Sequence, residues 1–133
     1  LKRFLGKAHF QFANSLRNEG LISEAIANYQ DALRNDTKQH DAANQLSLLL
    51  TTTSNAALRS PVEALALAGR LCMITQNKNA EFLDTLSIAH AANKNFEAAA
   101  TAAQRALQIW EQSNKPTAAA ATRSRLTLYT DKQ

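Results

Sequence analysis

The chain has 133 residues, of which 45% are hydrophobic, and a formal net charge of +4 at neutral pH. Because 26 of the residues are alanine, burial must come from close helix stacking rather than from a thick core of large side chains. Few glycines and prolines favour a single all-α domain, the lone Cys72 excludes an intrachain disulfide, and no apolar run is long enough to span a membrane.

The amino-terminal residues lead to two predictions about the longer protein. The chain opens at Leu1 without a methionine, which indicates a piece of a longer protein. Residues 1–5 fit the last turn of a helix that would belong to a preceding repeat. No signal peptide is visible, and a single cysteine leaves the redox compartment open.

The first unit covers about residues 6–38 and contains two helical patterns. Apolar spacing predicts helices over roughly 6–18 and 23–34. Gly20 lies at the turn, where a residue with positive φ commonly ends a helix. The small residues that would let these helices cross closely are Ala13, Ala25 and Ala32.

The second unit covers about residues 39–78 and begins with a predicted helix over roughly 39–51. Residues 51–60, TTTSNAALRS, form a polar connection that looks too irregular for helix. This stretch is either a tolerated insertion, since lengthening a surface loop costs little, or a binding loop at one rim.

The second helix of this unit has a sequence signal for its start. Ser60-Pro61-Val62-Glu63 has the spacing of a capping box, with proline at the first helical position. Ser60 would accept from the amide of Glu63, and Glu63 would reach back to the amide of Ser60. This helix should run to about Thr75.

The third unit covers about residues 79–113, and a last helix follows. Asn79 is predicted to cap a helix over roughly 80–93, and the next helix should span about 95–113. A capping helix is expected over about 116–130. The apolar face of this capping helix is predicted to contain Ala119, Thr122, Leu126 and Tyr129. If this helix folds back, Trp110 of the third unit should lie within reach of Leu126 and Tyr129.

One pattern of small and large residues recurs in phase in all three units. In the first helices it reads His9-x-x-Phe12-Ala13-x-x-Leu16, Ala43-x-x-Leu46-Ser47-x-x-Leu50 and Leu83-x-x-Leu86-Ser87-x-x-His90. In the second helices it reads Ala25-x-x-x-Tyr29, Ala64-x-x-x-Ala68 and Ala99-x-x-x-Ala103. With this pattern the chain resembles the tetratricopeptide-repeat (TPR) family over roughly residues 6–110. The alternative is an unrelated alanine-rich helical bundle.

The resemblance implies a right-handed superhelical solenoid of three TPR helix pairs plus a carboxy-terminal capping helix. The stretch from Leu46 to Leu107 looks like a TPR variant common in large bacterial proteins, where it often closes the end of the array. It implies a bacterial origin.

Sequence motifs for catalysis are missing. No H-x-x-x-H, C-x-x-C or G-x-x-x-x-G-K pattern occurs. His9 and His90 occupy packing positions of the repeat, and His40 is adjacent to Asp41, so these two do not share a helix face. Cys72 has no nearby group that would lower its pKa. Neither an enzymatic activity nor a cofactor or metal is expected.

The resemblance implies a concave surface built by the first helix of each unit. Carried over by register, the candidate binding residues are Lys7, Phe10, Gln11, Asn14, Arg17 and Asn18, then Asp41, Asn44, Gln45 and Leu48, then Glu81, Asp84, Thr85 and Ile88. Their asparagines and glutamines offer donors and acceptors that suit a peptide backbone. The surface would be basic in the first unit and acidic in the other two. Alternatively, these are simply polar helix faces in water.

The predicted function is a non-catalytic scaffold that binds a polypeptide segment or a neighbouring domain. The partner would be a protein or peptide, with no nucleic acid and no membrane contact. One alternative is a structural spacer or oligomerisation segment of a larger protein. Another is a nucleic-acid-binding helical repeat, suggested only by the basic isoelectric point, but it would need cations along all the first helices.

Overall fold

The computed structural model describes residues 1–133, and its regular structure is entirely helical. The helices are α1 (Lys2–Asn18), α2 (Ile22–Asn35), α3 (His40–Thr52), α4 (Pro61–Ile74), α5 (Ala80–Ala92), α6 (Phe96–Gln112) and α7 (Pro116–Asp131), with a 3-10 turn at Ala56–Leu58. Each helix packs against the next one along the chain, and α3 also packs against α5. The predicted all-α class is confirmed.

Four helices end in the same way. The backbone turns into the left-handed region at Gly20, Gln76, Lys94 and Asn114. In each case the following amide donates to the carbonyl five residues back, which satisfies a free carbonyl of the last turn. The turn predicted at Gly20 is confirmed, and asparagine, glutamine and lysine serve at the other three positions.

Asparagine side chains begin two of the helices. Asn79 Oδ1 accepts a hydrogen bond from the amide of Phe82 at 3.0 Å, so its predicted capping role is confirmed. Asn95 Oδ1 accepts from the amide of Ala98 at 3.2 Å in the same manner. Each bond satisfies an amide that the first turn would otherwise leave free.

The capping box predicted at the start of α4 is wrong. Ser60 makes no side-chain capping bond. Instead its amide donates to the carbonyl of Leu50 at 3.1 Å, which ties the start of α4 to α3. Pro61 occupies the first helical position, where its fixed φ suits the helix and its missing amide costs nothing.

The connection at residues 51–60 is more regular than its sequence suggests. Its first two residues complete α3, and Ala56–Leu58 form the 3-10 turn. The buried Thr53 offers its carbonyl to Arg59 Nε at 2.8 Å. The prediction of an irregular stretch is therefore wrong for these parts, because local side-chain bonds organise the backbone.

The amino terminus also differs from expectation. Residues 2–5 belong to α1, and the amide of Leu5 donates to the carbonyl of Leu1 at 2.9 Å. They do not form the end of a separate helix. Gly6 does not interrupt the helix, because a single glycine costs only about 1 kcal/mol in a helix interior, so α1 starts at Lys2.

Alanines line the crossings between helices. The alanines with no exposed surface are Ala13, Ala25, Ala32, Ala42, Ala64, Ala68, Ala89, Ala99, Ala103 and Ala106. Small side chains at these positions let the backbones approach, and large ones such as Tyr29, Leu46 and Leu83 fill the space beside them.

The closest approach involves a glycine. A Cβ at Gly6 would lie 2.9 Å from Asp36 Cβ and 3.2 Å from the carbonyl oxygen of Ala32. The absence of a side chain therefore lets α1 contact the end of α2 and the connection that follows it.

The last helix packs on α6 through the predicted face. Thr122 and Tyr129 are buried, and Tyr129 forms a cluster with Ala99, Ala103 and the half-buried Leu126. The structure places Trp110 in a different cluster, where it packs beside Leu83 and Ala106. The predicted contact of Trp110 with the capping-helix cluster is wrong.

Candidate functional site

Side-chain hydrogen bonds connect the first helices of the three pairs, α1, α3 and α5. Arg17 Nη1 donates to Gln45 Oε1. Asn44 Nδ2 donates to Glu81 Oε1 at 3.0 Å, and Asn44 Oδ1 accepts from Thr85 Oγ1 at 2.6 Å. The structure thus brings these predicted residues together on one surface, which we call the first-helix face.

Much of this polar surface is already engaged within the protein. Asn44 is 1% exposed and Thr85 2% exposed, so neither can be reached by a ligand. The hydroxyl of Tyr29 donates to Asn14 Oδ1, which ties that amide to α2. Asn14, Asn44 and Thr85 therefore stabilise the packing of the helices.

Asp84 is the largest departure from the predicted groove. Its carboxylate accepts from Trp110 Nε1 at 2.7 Å and from Thr122 Oγ1 at 2.8 Å. Arg125 Nη2 lies 3.1 Å from the same carboxylate, whose side chain is 14% exposed. We call this the Asp84 network. The acid was predicted to face a ligand, but it joins α5 to α6 and α7.

The remaining predicted residues stay accessible. The exposed ones are Lys7, Gln11, Asn18, Asp41 and Glu81. The half-buried ones include Phe10, Leu48 and Ile88, and the ring of Phe10 is tilted against Tyr29 with centroids 6.1 Å apart. The accessible part of the face is therefore mixed in charge, with apolar contacts between the polar groups.

Among the titratable groups outside this face, burial shifts the pKa of Cys72 and of His90. Burial raises the pKa of the Cys72 thiol to about 11, so the thiolate is scarce at neutral pH. Burial lowers the pKa of His90, whose Nδ1 has no partner. His9 Nδ1 lies 3.1 Å from Asn28 Oδ1. No group of three or more histidine, cysteine or acidic side chains is placed to hold a metal ion.

Sequence reasoning missed a cleft between the second helices. α2 and α4 both pack against α3 but make no substantial contact with each other. The gap between them is a cavity of about 340 Å³, which we call the α2–α4 cleft. Its lining residues include Leu33, Arg34, His40, Ala43, Leu67, Arg70, Leu71 and Ile74. The available sequence signal was Arg70 within the largely apolar second half of α4.

No helix is both long and apolar enough to cross a bilayer. No protein-family model matches the sequence, and no curated protein is significantly similar to it. Function is therefore inferred from the two surfaces, the first-helix face and the α2–α4 cleft.

Proposed function

We propose that the chain is a non-catalytic interaction scaffold of the TPR kind, which binds a polypeptide segment on its first-helix face. The repeat pattern supports the family assignment, because its small positions at Ala13, Ala25, Ala64 and Ala68 are all fully buried at helix crossings. The packing of α3 against α5 fits stacked helix pairs. A bacterial origin is part of the same proposal.

The observation that carries the proposal is the set of bonds between successive first helices. Arg17 to Gln45 joins α1 to α3, and Asn44 to Glu81 joins α3 to α5, which also pack directly against each other. A face whose helices are joined in this way presents its free groups in a defined arrangement. Such preorganisation reduces the entropy cost of binding an extended chain.

The free groups suit a polypeptide better than a nucleic acid. Gln11 and Asn18 can each donate and accept a hydrogen bond, as a peptide backbone requires. Asp41 and Glu81 are exposed on the same face and would repel phosphates. Half-buried Leu48 on α3 adds an apolar contact.

A displayed peptide library selected on the purified chain tests the proposal. Gln11→Ala/Asp41→Ala removes two exposed groups of the face that make no side-chain bond, so the fold should be retained. Peptides bound at this face should bind the double variant roughly tenfold more weakly. The matched control is Gln104→Ala/Asp131→Ala, which removes the same two side-chain types from exposed positions of α6 and α7.

Equal affinity for the Gln11→Ala/Asp41→Ala variant and the wild type would overturn the assignment of this face. If no selected peptide responds to the face variant, the first-helix face has no peptide-binding role, and the structural-spacer alternative is favoured for this face.

A further inference from the structure

We propose that the α2–α4 cleft is a second docking surface, which binds an acidic polypeptide segment through large apolar anchor side chains. This goes beyond the proposed function, because the cleft is formed mainly by the second helices. It stands whether or not the first-helix face binds a ligand.

The apolar lining indicates the anchors. Leu33, Leu67 and Leu71 surround the cavity from α2 and α4. Ile74 extends the apolar surface outward and is 48% exposed. A volume of about 340 Å³ is at the small end of ligand pockets, which run from roughly 300 to 1,000 Å³, and fits one or two large apolar side chains.

The charges at the cleft indicate the rest of the partner. Arg70 is exposed and forms no ion pair within the chain. Arg34 lies across the cleft and pairs with Asp31, but this pair is at the surface, with the arginine side chain 72% exposed. Surface pairs of this kind contribute little. Both guanidinium groups are therefore available to carboxylates of a bound segment.

A neighbouring groove continues the positive charge. It shares Arg34 with the cleft and adds Lys2, Arg3 and Lys38. The one carboxylate in its lining, Asp36, accepts a bond from the amide of Lys38 at 3.0 Å. Cleft and groove together are lined by five cations and one carboxylate, and the adjacent Asp31 pairs with Arg34, so the net charge is still positive and favours an acidic partner.

Other occupants match these features less well. A nucleic acid would use the cations, but His40 carries the only ring in a lining that is otherwise mainly aliphatic, so the cleft offers few surfaces on which bases could stack. A bilayer surface is entered by protruding apolar side chains, whereas this surface is recessed. A second copy of the chain carries the same net charge of +4 and would be repelled on average.

The experiment is a selection of displayed peptides on the full chain, followed by fluorescence anisotropy of the enriched peptides. We expect a class of sequences that combine aspartate or glutamate with leucine, isoleucine or phenylalanine. Arg70→Glu and Ile74→Asp should each weaken these peptides roughly tenfold. The wild-type methyl NMR signals of Leu67, Leu71 and Ile74 should shift on binding.

Each substitution has one control variant that makes the same chemical change elsewhere. Met73→Asp changes the neighbouring residue, which is 73% exposed and does not line the cleft. Arg105→Glu makes the same charge change on α6. Both controls should bind as the wild type does.

Several results would overturn the inference. These are the absence of an enriched acidic class, equal loss of binding in the Arg105→Glu control, and methyl shifts outside the cleft. Stronger competition by RNA or anionic vesicles than by acidic peptides would also do so. If acidic peptides lose affinity only for the Gln11→Ala/Asp41→Ala variant, their binding site is the first-helix face and not the cleft. If the face variant binds all selected peptides as the wild type does, the proposed function of the first-helix face fails, but the inference about the cleft is unaffected.

Discussion

The two ends of the helical array are held by different kinds of contact. At the amino-terminal end, α1 meets α2 through alanines and Tyr29, and Gly6 permits the closest approach. At the carboxy-terminal end, the Asp84 network joins α5 to α6 and α7 through directional bonds. One end therefore depends on shape and the other on partly buried charge.

The outward surfaces of the ends differ as well. On α1, Phe4 is 70% exposed and Phe12 56% exposed. On α7, Leu128 is the only exposed large apolar side chain, at 57%. The helix held by the polar network thus exposes fewer large apolar side chains than α1 does.

The largest expected effect comes from removing the centre of the Asp84 network. Asp84→Ala leaves Trp110 Nε1 and the buried Thr122 hydroxyl without this acceptor, and it leaves Arg125 without its carboxylate. Breaking such a pair by removing one partner costs about 3 kcal/mol. Urea denaturation followed by the fluorescence of Trp110 measures the free energy of unfolding.

The control for this variant is Asp41→Ala, which removes an exposed carboxylate from α3. It should change the free energy of unfolding by less than about 0.5 kcal/mol. Similar values for the two variants would mean that the network does not stabilise the carboxy-terminal end.

The next largest effect is expected from a substitution that tests the close packing of α1 against α2 at the amino-terminal end. Gly6→Ala places a methyl group against Asp36 and the backbone of Ala32. Overpacking of this kind costs about 1–3 kcal/mol, partly offset by the better helix propensity of alanine. Thermal melts should show a lower Tm.

Gly69→Ala is the matched control, because a Cβ at Gly69 meets nothing within 4 Å. In the middle of α4 it should stabilise the protein by roughly 0.5–1 kcal/mol. The two glycine variants should therefore change the Tm in opposite directions, and shifts of equal sign would contradict the close approach at Gly6.

A smaller effect distinguishes His9, at the first position of the pattern in the first unit, from His90, at the last position of the pattern in the third unit. His9 is hydrogen bonded to Asn28, whereas burial lowers the pKa of His90. A lowered folded pKa means that the unfolded chain binds the proton more readily, so stability should fall as the pH drops below about 6.5. His90→Gln should flatten this acid dependence in urea titrations at several pH values. An unchanged profile would assign the acid sensitivity to other groups.

The smallest effect is expected on the outer face of α1. Phe4→Gln removes a ring that is 70% exposed and should change the free energy of unfolding by less than about 0.5 kcal/mol. The same kind of change at the buried Tyr129, Tyr129→Gln, should cost about 3 kcal/mol. Chemical denaturation of both variants tests whether the outer face of α1 contributes to the fold of this chain.

Periodicity and turn residues were sufficient to predict the helices. Most predicted boundaries agree with the structure within a few residues, because small and large apolar positions repeat with the helical period and Gly20 and Asn79 mark an end and a start. The capping box at Ser60 failed because a backbone bond to Leu50 sets the geometry there. Local pattern does not reveal such a tertiary contact.

The candidate surfaces were harder to predict. A helical register places Asn44 and Asp84 on a polar face, but it does not tell which of their hydrogen bonds are used by neighbouring helices. The α2–α4 cleft depends on the distance between two helices that are not consecutive in the chain. Both properties arise from packing, so sequence spacing alone could not supply them.

The alanines at the helix crossings also affect how stability depends on temperature. Alanine loses almost no rotamer freedom on burial, whereas a long side chain loses up to about 2 kcal/mol of conformational entropy. Alanine also buries little apolar area, so unfolding exposes less of the surface that raises the heat capacity. A small heat-capacity change flattens the curve of stability against temperature. Contacts such as those of Ala13, Ala25 and Ala68 therefore favour an array whose stability varies little across a wide temperature range.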